Sequence, residues 1–131
     1  MKSSEREILI LYDPGSGSGR QVVAYARSLS RHVQAYSFQQ SPYNNRTGWC
    51  KILRALEMEP KELLDKSHSY YQTHIRGREF DEEGWFNVLR TNPELIKAPI
   101  AMRGQRAVLC INPKDIYRLA KEEEEEKNPV N

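Results

Sequence analysis

The sequence predicts an α/β fold built on a mixed four-stranded sheet flanked by helices. Three observations predict it. The first third alternates strand, helix and strand periodicity. The middle is a run of helical patterns broken by prolines. The last third has the pattern of a hairpin followed by a helix. Unbranched order of this kind, βαβ, helical block, ββα, places parallel and antiparallel partners in one sheet.

Ile8 to Tyr12 is a short apolar run of the length of a buried strand. Val22, Val23, Tyr25, Ala26 and Leu29 recur at helical spacing, which predicts a helix over Gln21 to Arg31. Val33 to Phe38 alternates as a second strand, parallel to the first. Thr47 is the expected cap of a helix carrying Trp49, Ile52, Leu53 and Leu56. Pro60 suits the first turn of a short helix through Leu64, and Tyr70 to Ile75 reads as another. Asp81, Glu82 and Glu83 complement the dipole of the next helix, whose expected core face is Trp85, Val88 and Leu89. Asn92-Pro93 ends it. Pro99 to Met102 and Arg106 to Ile111 flank the turn Arg103-Gly104-Gln105, and Asn112-Pro113 opens a last helix through Ala120. The expected organisation is one domain over residues 1–121, with a helical insert at about 44–92. An acidic tail expected to be disordered, 122–131, contains the run Glu122 to Glu126.

The bulk composition narrows the class. A chain of 131 residues with 38% hydrophobic and 29% charged side chains is expected to be a soluble globular protein with a real core. Its net charge of +2 gives no reason to expect direct nucleic-acid binding. No apolar run approaches membrane-spanning length, and Met1 to Glu7 has no apolar signal segment, so a cytoplasmic location and no membrane partner are expected. The two cysteines, Cys50 and Cys110, form no CxxC pair and read as reduced, buried thiols. An outward-facing Cys110 would be the alternative, an unconventional redox group.

The segment with most chemical potential is Asp13-Pro14-Gly15-Ser16-Gly17-Ser18-Gly19-Arg20, between the first strand and its helix. Helix N-termini present free N–H groups and partial positive charge, which suits an anion. Gly15, Ser16, Gly17, Ser18, Gly19 and Arg20 are therefore the anion-binding candidates, with a small oxyanion as the ligand class. The loop is not a Walker A motif, because the last glycine is followed by Arg20 rather than Lys-Ser/Thr. It is not a dinucleotide fingerprint either, for position 20 is not glycine and Gln39 and Gln40 stand where an acid is needed. Ser16 could attack a substrate only with a neighbouring base, and none of His32, His68 or His74 is placed there by the sequence. Capping and turn hydrogen bonds are the ordinary role of Ser16 and Ser18. His68 and His74 are six apart, off a common helical face, so no metal site is expected. Arg76 and Arg78 could fold toward the loop, or pair on the surface with Glu79, Asp81 or Glu82.

Several segments together resemble the arsenate reductase (ArsC) family, which also contains the Spx regulators and has a thioredoxin-like, glutaredoxin-like fold. Asn92-Pro93-Glu94-Leu95-Ile96-Lys97-Ala98-Pro99-Ile100 is similar to its NPxLLxRPI stretch. Gly104 to Cys110 resembles the following GxxAxxG strand. Tyr12 to Arg20 takes the place of the YxNPxCxxCR or NPxCxxSR loop, and Leu63 to Lys66 that of LLRT. The resemblance spans about Ile8 to Leu119 and implies a bacterial, cytoplasmic protein with a cis proline at Pro99. It also implies that Ser16 stands at the catalytic cysteine position, Gly19 at the second CxxC position, and Asp65 and Ala98 where oxyanion-holding arginines belong. Arg20 alone keeps the family identity there.

Thiolate attack on arsenic needs a sulfur whose pKa falls from ~8.5 toward neutrality, which a serine hydroxyl cannot imitate. The expectation is thus a non-catalytic binding or regulatory protein with a degenerate active site, a protein partner and no cofactor. Two alternatives remain open: a glutathione-dependent or arsenate reductase-like oxidoreductase using a non-standard thiol, and an Spx-like transcriptional regulator that binds RNA polymerase.

Overall fold

The computed structural model describes residues 7–119. The expected tail 122–131 and the helix end at Ala120 lie outside them. The described residues fall into two compact units, one of residues 7–37 with 98–119, the other Phe38–Lys97.

The first unit holds the sheet. Its strands are β1 (Ile8–Tyr12), β2 (Val33–Ser37), β3 (Ile100–Arg103) and β4 (Arg106–Leu109), in spatial order β2-β1-β3-β4. β1 pairs parallel with β2, while β3 runs antiparallel to both β1 and β4. A crossover helix, α1 (Gly17–Leu29), joins β1 to β2, as a parallel pair requires. Period-two alternation sends Ile8 and Ile10 to one face, where Val22, Val23 and Ala26 of α1 meet Ala101, Val108 and Cys110. Ile116 and Leu119 complete that cluster. Each such fully buried aliphatic side chain contributes about 1.5–3 kcal/mol. Leu11, Ile100 and Leu109 are buried as well. The hairpin turn places Gly104 at φ +63°, a conformation that favours glycine.

α1 starts at Gly17, four residues before the expected Gln21. Ser16 caps it, accepting the Gly19 N–H at 3.2 Å, and a first turn of glycine and serine carries no periodic signal. β4 ends at Leu109, and Ile111 is 62% exposed rather than part of a covered strand. Asn112-Pro113 does open helical structure, but as a 3₁₀ turn, Pro113–Ile116. A reciprocal box braces it, with Asn112 Oδ1 accepting from Lys114 N and Asp115 Oδ2 from Asn112 N. Residues 117–119 continue it as helix.

The second unit is helical. α2 (Arg46–Leu56) buries Trp49, Ile52 and Leu53, and α3 (Glu82–Thr91) buries Phe86, Val88 and Leu89. Phe86 takes the core position expected of Trp85, which is half-buried and edge-on to Phe80, with centroids 4.9 Å apart. Short 3₁₀ turns at Pro60–Leu63 and Pro93–Leu95 pack on α3, and Tyr71–Ile75 is a π-helical turn. Arg46 at the start of α2 reaches Glu83 at 3.1 Å and Glu82 at 3.6 Å, and lies 5.7 Å from the Phe86 ring centre. These exposed pairs are worth at most about 1 kcal/mol each.

The cap of α2 is Asn45, not Thr47. Asn45 Oδ1 accepts the Gly48 N–H at 2.8 Å, whereas Thr47 lies inside the first turn and is exposed. Gly48 is fixed by space, since a β-carbon there would collide with the Tyr43 carbonyl. Asn45→Ala is therefore expected to destabilise the protein by about 1 kcal/mol, and Thr47→Ala by less than about 0.5 kcal/mol, as read by urea denaturation.

Candidate functional site

The strand-to-helix loop is ordered by its own side chains. Asp13 accepts twice: its carbonyl takes the Ser16 N–H at 2.9 Å and its Oδ1 takes the Gly15 N–H at 2.9 Å. Ser16 Oγ lies 3.0 Å from Ser18 Oγ and also caps Gly19. Arg20 folds back, its Nη1 donating to the Pro14 carbonyl at 2.9 Å. Within the first turn of α1, Gly17 and Ser18 are exposed, whereas Gly19 is buried.

Gly19 is where the helix touches the strand. A β-carbon there would sit 3.0 Å from the Asp13 carbonyl and 3.1 Å from the Tyr12 ring. At Gly17 the nearest atom would be Arg20 Nη2, 3.9 Å away. The close approach of Tyr12 to Gly19 is a tertiary contact that loop composition does not announce. The structure thus brings Gly15, Ser16, Gly17, Ser18, Gly19 and Arg20 into one turn, but Gly15 directs its N–H to Asp13 rather than to a ligand.

Pro99 adjoins this loop through the sheet. Leu11 pairs with Ile100, so the antiparallel register carries Pro99 to the level of Tyr12. Its carbonyl accepts the Cys110 N–H at 2.8 Å. The Ala98–Pro99 bond is trans, because no cis peptide occurs among the described residues, and this corrects the expected cis isomer. Trans is the intrinsically favoured form by about 0.5–1 kcal/mol. Small Ala98 is buried beside it.

Cys110 is not an outward redox group. It is 1% exposed, its Sγ lies 3.9 Å from the Val108 carbonyl, and burial pushes its thiol up to about 12, with Asp115 adding to the effect and Arg118 opposing it. Cys50 is half-buried on α2. The loop itself contains no cysteine.

Asp65 belongs to the insert, where Leu63–Asp65 lies against Leu95–Lys97. Asp65 N donates to the Leu95 carbonyl at 2.7 Å and Lys97 N to that of Leu63 at 2.8 Å, around a Leu64–Ile96 bridge. The segments resembling LLRT and NPxLLxRPI are thus paired. The Asp65 carboxylate accepts from Ser67 Oγ at 2.6 Å and Ser67 N at 3.0 Å. Those bonds hold its pKa below the usual carboxylate value against a small desolvation, with help from His68 and Lys97. Among the described residues Arg76 and Arg78 form no ion pair with Glu79, Asp81 or Glu82. Arg76 donates to Gln72 Oε1 at 2.9 Å, and Arg78 to the His74 carbonyl at 3.4 Å while lying over the Phe80 ring. Among the described residues no cluster could hold a metal ion, and no helix is long and apolar enough to cross a membrane.

This parallel-antiparallel sheet, with a crossover helix whose N-terminus carries the loop, defines an α/β protein of the thioredoxin-like class. The sequence matches the ArsC family over residues 14–119, and the chain belongs to that family. A comparison with curated proteins finds no match. Among solved structures, a candidate arsenate reductase from Yersinia pestis is similar with a TM-score of 0.77 and 18% identity, over 86% of this chain and 99% of that one. An arsenate reductase from Vibrio cholerae gives 0.76 and 16%, over 87% and 98%. An arsenate reductase (ArsC) related protein from Brucella melitensis gives 0.63 and 9%, over 88% and 95%.

Three outcomes follow from this geometry. Gly19→Ala is expected to lower stability by about 1–3 kcal/mol by forcing the turn off β1, while Gly17→Ala is tolerated, as thermal unfolding would record. Cys110 should resist alkylation in the folded protein at pH 8 and react once the protein is denatured, as read by mass spectrometry. The folded thiol stays protonated where the unfolded one ionises, so stability should fall as pH rises from about 9 toward about 12. Cys110→Ala should remove that part of the alkaline loss.

Proposed function

We propose that this ArsC-family chain is a binding or regulatory protein that does not reduce arsenate. The observation that carries the reading is the fate of Ser16. In the resemblance it occupies the attacking position, yet its oxygen serves as the cap of α1 and as the partner of Ser18. A hydroxyl so used is bonded to Ser18 and the Gly19 N–H rather than to a base, and it cannot form the mixed disulfide that thiol exchange requires.

Among the described residues the sheet unit offers no exposed thiol in its place. Its cysteine, Cys110, is buried and protonated at neutral pH. Asp13 adds a negative charge beside the loop, and Ala98 supplies no cation where the resemblance places an arginine. What remains suits a protein partner, with the turn of Gly17, Ser18 and Arg20 as a weak contact for an oxyanion or an acidic group. No cofactor is needed for such a role. Location in a bacterial cytoplasm is part of this proposal.

The test is turnover of arsenate with glutathione and glutaredoxin, or with thioredoxin. The expected result is a rate equal to the protein-free control. A measurable rate that survives Cys50→Ser and Cys110→Ser together would point to an external thiol held near Pro99 and would overturn the proposal. Ser16→Cys is expected to create a thiol that alkylates faster at pH 7 than a free cysteine, since a helix N-terminus lowers its pKa.

A further inference from the structure

Tyr70, at the entrance of the π-helical turn Tyr71–Ile75, is held by two histidines in different ways. His68 Nδ1 accepts the Tyr70 backbone N–H at 3.1 Å. The His74 ring stacks on the Tyr70 ring with centroids 4.2 Å apart and planes at 19°. His68 is itself tied into the preceding turn. Its N–H donates to the Asp65 carbonyl at 3.1 Å, and its carbonyl accepts the Gln72 N–H at 3.0 Å. The same residue therefore ends the Asp65–Ser67 turn and ties down Tyr70, which leads into the π-turn.

The cap depends on protonation. An imidazole nitrogen accepts a hydrogen bond only while it carries no proton, and both nitrogens become donors in the imidazolium. Histidine is the side chain that ordinarily makes this change between pH 5 and 8. Once protonated, His68 loses the Tyr70 N–H and gains an attraction to the Asp65 carboxylate, on which its positive charge acts. The charged and titratable groups around it are Asp65 on its own turn, Lys97 from the paired segment acting on Asp65, and His74 across the Tyr70 ring.

We propose that His68 is a pH-sensitive cap: neutral, it fastens the start of the π-turn at Tyr70; protonated, it releases Tyr70 and turns to Asp65. The consequence is local. Tyr70 to Ile75 loosens when the His68 ring takes up its second proton. The device is independent of the chemistry at Ser16.

The test is an NMR titration of the full chain from pH 8 to pH 5. The Tyr70 amide shift and the His68 ring should follow one common midpoint, and the Tyr70 amide should lose about fivefold in protection once the hydrogen bond is broken. His68→Asn keeps a short acceptor that does not titrate, so the Tyr70 transition should vanish. His74→Phe keeps the stacked ring without its proton, so the transition should persist. Asp65→Asn should move the midpoint to lower pH by removing the partner of the protonated form. A flat Tyr70 amide in the unaltered protein would overturn the proposal without recourse to any variant. So would a transition unchanged in His68→Asn.

Discussion

The first turn of α1 closes onto the end of β1 because Gly19 has no side chain, and the geometry of the loop follows from that contact. With the helix seated against Tyr12, Asp13 can cap Gly15 through its carboxylate and Ser16 through its carbonyl. Ser16 is then positioned to cap Gly19 in turn. The cap fixes where the helix begins, and the helix then delivers Val22, Val23 and Ala26 to the face of the sheet carrying Ile8 and Ile10. One missing methyl group thus connects the loop to the core. A side chain at that position would have to move backbone, which close-packed interiors resist.

The same chain of hydrogen bonds governs the chemistry. A helix N-terminus is inviting to anions when its N–H groups are unclaimed. Here Ser16 claims one of them, that of Gly19, and the Asp13 carboxylate takes the Gly15 N–H just ahead of the helix. Arg20 is turned toward the Pro14 carbonyl. Electrostatics that would favour a thiolate are partly answered from within the loop, and no thiol is there to benefit. At Cys110 the opposite environment prevails. Desolvation keeps sulfur neutral in the interior and makes it a packing residue.

The insert is held by local devices. Asn45, Asp81 and Asp65 each satisfy backbone N–H groups that begin a helix or turn. The Leu64–Ile96 bridge joins its two flanking segments. Short turns built this way are fixed by polar side chains more than by length, which is why a histidine can hold a structural bond at one of them.

The amino-acid sequence by itself determined the strand of Ile8–Tyr12, the crossover unit, the hairpin around Gly104 and the helix opened by Asp81. In each, periodicity, proline and capping residues agree with the final structure. It also determined that no sulfur stands between Asp13 and Arg20. Tertiary structure decided what pattern could not carry. The start of α1 was hidden because glycine and serine have no hydrophobic period, and it emerged only through the contact with Tyr12. Asn45 rather than Thr47 became the cap, since both are capping types and the tight approach of Gly48 to Tyr43 selects between them. Trp85 yielded the core to Phe86 because adjacent residues lie 100° apart on a helix and packing chooses the rotation. Pro99 stayed trans, and Arg76 and Arg78 turned to neighbours within a helical turn of themselves. Local preference is written in neighbouring residues, whereas the direction of a side chain is settled by groups brought close only when the chain has folded.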